Sequence, residues 1–106
     1  MAEPSAKDIM LAMLKLDLGI SNTTYDTRLG QHLDVAKAEI KKAGASTLND
    51  SDLPDQQLIV MYAAWLFRMR SYDAGKYGLG TRMPDMLQYH LNNRIFKDHM
   101  GGGADV

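Results

Sequence analysis

The chain has 106 residues, 45% of them hydrophobic, with no cysteine and 12 Lys and Arg against 13 Asp and Glu, a formal charge of −1. That length holds one small domain, here taken as 1–106, with a single core. The near-neutral charge withholds the broad basic field of a nucleic-acid or membrane-surface binder, and the lack of cysteine excludes disulfides, thiolate metal sites and a Cys nucleophile.

In Ser5-Ala-Lys-Asp8, a hydroxyl and a carboxylate three residues apart can satisfy the free amide donors of a first helical turn. With Met10, Met13, Leu14 and Leu18 at helical spacing and Gly19 as a stop, a helix over 6–18 is expected. No long apolar region or cleavage-like site follows residues 1–7, so no signal peptide is expected. Thr23-Thr-Tyr-Asp26 repeats the capping pattern, and Tyr25, Leu29, Leu33, Ala36 and Ile40 recur at steps of four, four, three and four. They predict an amphipathic second helix over 25–43, stopped by Gly44 after the basic turn Lys41-Lys42.

Residues 45–53 read as a solvated linker, and Asp52-Leu-Pro-Asp55 opens a third helix over 53–72, since proline is tolerated in a first turn. From Leu58 to Phe67 the chain carries no charge, and positions 58, 61, 62, 65, 66 and 69 are all apolar. This run is far short of the roughly 20 apolar residues a bilayer span needs, so it predicts a central core helix with Leu58, Tyr62, Trp65 and Leu66 inside, and no membrane partner. Gly75, Gly78 and Gly80 mark a glycine-rich loop. A last helix over 84–98 places Met83, Met86, Leu87, Leu91 and Ile95 on one side, with His90 and Arg94 in the remaining slots of that stripe. Residues 1–4 and 99–106, the latter ending in Gly101-Gly-Gly-Ala-Asp-Val106, are expected to be flexible. The fold class is thus all-α, a small bundle of about four helices.

Catalytic chemistry finds no foothold. His32, His90 and His99 make no zinc-binding spacing, and Gly75-Lys-Tyr-Gly-Leu-Gly80 has its lysine misplaced for a phosphate loop and follows a helix rather than a strand. Every serine falls at an expected cap, helix end or turn. Asp50, Asp52 and Asp55 precede a helix, where the macrodipole favours negative charge, and read as capping residues. The expectation is a non-enzyme without cofactor or metal.

Two features point instead to interaction. Residues 1–66 carry six basic and nine acidic side chains, whereas residues 67–106 carry six basic and four acidic; complementary parts of this kind suit self-association. The second is an excess of methionine and aromatic residues around the last loop and helix, side chains that favour protein contact. The interface candidates are Arg68, Arg70, Tyr72, Tyr77, Arg82, Met83, Met86, Tyr89, Arg94 and Phe96.

The stretch Tyr62-Ala-Ala-Trp-Leu-Phe-Arg-Met-Arg70, followed by Met83-Pro-Asp-Met-Leu-Gln-Tyr-His-Leu-Asn-Asn-Arg-Ile-Phe96, resembles the small head-to-tail connector, or adaptor, proteins of tailed bacteriophages. The order of elements agrees from about residue 9 to 97, including the segment Leu14 to Ile20. The glycine loop and glycine-rich tail depart from that pattern. The resemblance implies a head completion protein, made in the bacterial cytoplasm and placed at the virion neck. There about a dozen copies would form a ring under the portal protein, extend the channel for duplex DNA without binding it specifically, and receive the next tail-completion, or stopper, protein. A ring uses two different faces of each subunit, which an acidic part and a basic part can supply. The alternative is a small helical nucleic-acid-binding phage regulator using the basic last third. No short helix-turn-helix connection supports it.

Overall fold

The structure, a computed structural model, describes residues 4–71 and 83–104. They form four helices: α1 (Ala6–Leu18), α2 (Asp26–Ala43), α3 (Leu53–Ser71) and α4 (Asp85–Ala104). Among the described residues there is no strand, and no helix is long and apolar enough to cross a membrane. The expected all-α architecture is what forms.

Helix α1 begins where its donors find acceptors. Ser5 Oγ accepts from the Asp8 backbone N–H at 3.1 Å and Asp8 Oδ2 accepts from the Ser5 N–H at 3.3 Å, a complete capping box. It ends at Gly19, whose φ of 72° is left-handed, a conformation that disfavours any side chain with a Cβ. The second expected capping box does not form: Tyr25 occupies the cap position of α2 without a side-chain bond. The reason is a competing partner. The Asp26 carboxylate pairs with Lys15 of α1 at 2.8 Å, while Asn22 Oδ1 accepts from the Thr24 N–H and shapes the turn itself. At the start of α3 the Asp52 carbonyl accepts from the Gln56 N–H at 2.8 Å.

Of the predicted α2 stripe, Leu29, Leu33, Ala36 and Ile40 are buried, against Met10 and Leu14 of α1 and Leu58, Ile59, Val60, Ala63 and Ala64 of α3, whereas Tyr25, at the cap position before the helix, is exposed. Each fully buried Leu or Ile contributes about 1.5–3 kcal/mol relative to exposure. The run 58–67 is helical and central, but its large side chains are placed differently from the expectation. Leu58 is buried, whereas Tyr62, Trp65 and Leu66 are half-buried against the core's edge. Small Ala63 and Ala64 take the tightest positions because they let neighbouring helices approach, and the rings stand at the margin, Tyr62 and Trp65 edge to face at 5.5 Å.

Helix α4 is added to this three-helix body through Leu87 and Leu91, both buried, and half-buried Ile95. Gly44, with φ 139°, permits the approach: a Cβ there would lie 2.9 Å from Ile95 Cγ2. The expected stripe on the last helix therefore divides, with Leu87, Leu91 and Ile95 inward and Met86 outward. The helix also runs past its expected end near 98, through Gly101–Gly103 to Ala104. Glycine weakens a helix by about 1 kcal/mol per residue but, unlike proline, keeps its N–H donor and can extend one already nucleated. The expected glycine loop, at 75–80, lies outside the described residues.

Candidate interaction surface

The polar residues between the body and α4 form one node. Arg94 of α4 donates from Nε to Asp55 Oδ1 at 2.8 Å and from Nη2 to Asp55 Oδ2 at 3.3 Å, with a further bond from Nη2 to Thr47 Oγ1 at 3.2 Å. Both side chains are enclosed, 11% exposed for Arg94 and 5% for Asp55. Asp55 also accepts the Asn49 N–H at 2.9 Å, so the fork of the guanidinium meets a carboxylate already held in place. One turn on, Asp98 accepts from the Thr47 N–H at 2.8 Å, from the Thr47 hydroxyl, and from Ser46 Oγ at 3.2 Å. The bonds from Thr47, then Ser46 and the nearby Arg94 charge, hold the Asp98 carboxyl below its ordinary pKa.

The node corrects one reading. Asp55 is more than a capping residue of α3, because its carboxylate ties α3 and the α2–α3 connection to α4. No motif spacing announces a pair 39 positions apart. The available signal was local: His90 and Arg94 were the polar residues in the otherwise apolar stripe of the last helix.

On the opposite side of α4, Met86, Tyr89, Phe96 and Met100 stand between 51% and 65% exposed, and Asn93 lies exposed among them. At 3.6 residues per turn these five fall within about 80° of the helix circumference. The node fixes this helix, and hence the direction in which the stripe faces.

The interface candidates thus separate. Met86, Tyr89 and Phe96 come together on the outer face, joined by Met100, which the candidate set lacks. Arg94 is turned inward. Met83 is half-buried against the core. Arg68 is exposed and paired with Asp17 at 3.3 Å, at the edge of a groove that Met86 also lines. Tyr72, Tyr77, Arg82 and the side chain of Arg70 lie outside the described residues. Met100 was within reach of sequence reasoning, since it follows Phe96 by four, Asn93 by seven and Met86 by fourteen residues.

Among the described residues no group of three or more His, Asp or Glu side chains is arranged to hold a metal ion. His32 is buried with its ring edge to face against Phe67 at 6.0 Å, while His90 and His99 are exposed. A groove of about 220 Å³ between the end of α1, α3 and the start of α4 is lined by Met61, Trp65, Met86 and Leu87 with Asp17 and Arg68 at its edge. Cofactor and drug-sized sites usually need about 300 Å³ or more. Comparison with protein-family models, curated proteins and solved structures returned no match.

Proposed function

We propose that this chain is a non-enzymatic head completion protein of a tailed bacteriophage. On this reading it assembles as a ring of about a dozen copies under the portal, extends the DNA channel at the virion neck and offers a docking surface to the next tail-joining protein. The observation that carries the reading is the outward apolar stripe of α4 on a helix whose other side is fixed by a buried ion pair. A rigid helix presenting Met and aromatic side chains to solvent suits protein contact. The segments that resemble the connector family, 62–70 and 83–96, are those that build α3 and the outward face of α4.

Charge favours this reading over the nucleic-acid binder. Lys7, Lys15, Lys37, Arg68 and Arg94 are each paired with a carboxylate of the same chain, so those cations are already partly neutralised before any phosphate arrives. A dozen copies at −1 each give a ring of only about −12, which lets duplex slide rather than grips it.

Electron microscopy of the purified chain mixed with the portal protein encoded in the same genome tests the proposal. The expected result is an added layer of density at the portal's tail-facing end. A bare portal with a folded chain in excess would overturn the assignment. Duplex affinity that falls steeply with salt would favour the regulator.

A further inference from the structure

The methionines of the chain are not equally open to solvent. Met10 is 3% exposed, and Met13, Met61, Met69 and Met83 are half-buried. Among the described residues only Met86 and Met100 leave more than half of their surface to water, 61% and 51%. Both stand on the outward stripe of α4. Tyr89 follows Met86 by three residues and Phe96 precedes Met100 by four, so each thioether lies one helical turn from an aromatic ring. The side chains that anchor this helix are others: Leu87, Leu91 and Ile95 with Arg94 and Asp98.

We propose that Met86 and Met100 are sites of reversible oxidation by hydrogen peroxide, a step that turns the outward face of α4 from apolar to polar without unfolding the chain. A sulfur lone pair attacks one peroxide oxygen, and the S–O bond forms as the O–O bond breaks. Sulfur gives up two electrons. The proton of the transferred oxygen passes to the departing hydroxide, which leaves as water. Methionine sulfoxide results, a polar group in place of a flexible apolar one. Formed in a core it is disruptive, and burial protects Met10 from it; at 86 and 100 the new oxygen is hydrated and the anchoring side chains are untouched. The same exposure admits a sulfoxide reductase, which removes the oxygen as water while a dithiol is oxidised to a disulfide. This chemistry holds whatever docks on the face, and a portal that ignores the chain would overturn the adaptor reading alone.

Met86 has a reporter beside it. It lines the groove next to α3 together with half-buried Trp65, the single tryptophan of the chain. Met100 lies fourteen residues further on, about 21 Å along the helix. A sulfoxide dipole at 86 therefore alters the surroundings of the indole, and one at 100 does not. Met61 lines the same groove but is half-buried, so substitution of Met86 separates the two.

The test treats the full-length chain with hydrogen peroxide and follows each methionine by peptide mass mapping. Met86 and Met100 should each gain oxygen on the order of tenfold faster than Met10, Met13, Met61, Met69 and Met83, as exposure dictates. Retention on a hydrophobic-interaction column should fall in step and tryptophan emission should move to the red, with helix content unchanged. Methionine sulfoxide reductases specific for the two epimers, supplied with dithiothreitol, should restore both readings. Met86→Leu, a swap that conserves volume and apolarity, should abolish the emission change, whereas Met100→Leu should leave it. The double variant should keep its retention under peroxide. Oxidation of all these methionines at equal rates would overturn the proposal. So would helix loss that accompanies the first oxygen, or an emission change that survives in Met86→Leu.

Discussion

The body and the arm of this molecule are held by different forces. Helices α1 to α3 share an apolar core in which Leu14, Leu29, Leu33, Ile40 and Ile59 are fully enclosed, and no single polar contact decides their arrangement. Among its described side chains helix α4 adds only Leu87 and Leu91 to the buried set, and it is tied to the body by the Arg94–Asp55 pair and by the bonds of Asp98 to Ser46 and Thr47. An apolar contact stabilises many neighbouring registers almost equally, but a bidentate guanidinium–carboxylate pair tolerates one. A core that only has to cohere can be apolar throughout. An arm that must point its outer face in one direction needs a directional bond.

Breaking that bond should have the largest effect. Arg94→Ala leaves the Asp55 carboxylate buried without its cation, and loss of one member of such a pair typically costs about 3–5 kcal/mol. The distinguishing expectation is where the loss appears: hydrogen exchange should accelerate throughout α4 more than in α2. Equal acceleration in both would mean that the arm is not a separable unit. Replacing both partners with apolar residues, Asp55→Leu with Arg94→Met, should recover much of the stability while loosening the register of α4, and a double-mutant cycle measures the coupling.

In the body the matching change is Leu14→Ala, which empties a fully enclosed site and should lower the unfolding free energy by about 3 kcal/mol in a denaturant titration. Here exchange should rise in α1, α2 and α3 alike, because the cavity is shared. Trp65→Ala, at a position the sequence places in the core, should cost less, since the ring is half-buried at the margin.

The contrast also explains what the sequence made legible. Periodicity shows Leu29, Leu33, Ala36 and Ile40 because one helix repeats them, and the Ser5 and Asp8 capping box is visible because both halves lie within one turn. The Asp55 and Arg94 pair depends on how two helices cross, which neither segment encodes locally, so Asp55 reads as a helix-start residue and Arg94 as a surface cation. Helical spacing within the uncharged run places Trp65 in the core, but in a helix apolar nearly all round that spacing does not say which side chains reach the centre. The outer face of α4 was half legible: Met86, Tyr89 and Phe96 stood out, but assigning Met86 to the same stripe as Leu87 hid the two opposed faces.

A smaller effect lies where arm meets body at Gly44. Gly44→Ala places a Cβ 2.9 Å from Ile95 Cγ2 at a φ of 139°, adding backbone strain to overpacking, together about 1–3 kcal/mol. Ile95→Ala in the same chain relieves the steric part and leaves the strain. Partial recovery in thermal melts is expected, and no recovery would show that the contact with α4 is immaterial at this position.

The last comparison is between the two ends of the pH scale. Bonds from Thr47 and Ser46, with the Arg94 charge, depress the Asp98 carboxyl in the folded chain. A carboxyl lower in the folded than in the unfolded state stabilises above its unfolded pKa of about 3.9, and that contribution is lost as the pH falls through the folded value. At the other end the Tyr62 phenol is raised, chiefly by burial and then by Glu39. Its contribution is present below an unfolded pKa of about 10 and is lost as the pH rises through the folded value. Acid should therefore loosen the arm first, where Asp98 ties α4 to Thr47, and alkali should loosen the body, where Tyr62 sits on α3. Asp98→Asn should flatten only the acid side of the stability profile, and Tyr62→Phe only the alkaline side. A variant that flattens both would show that arm and body titrate as one.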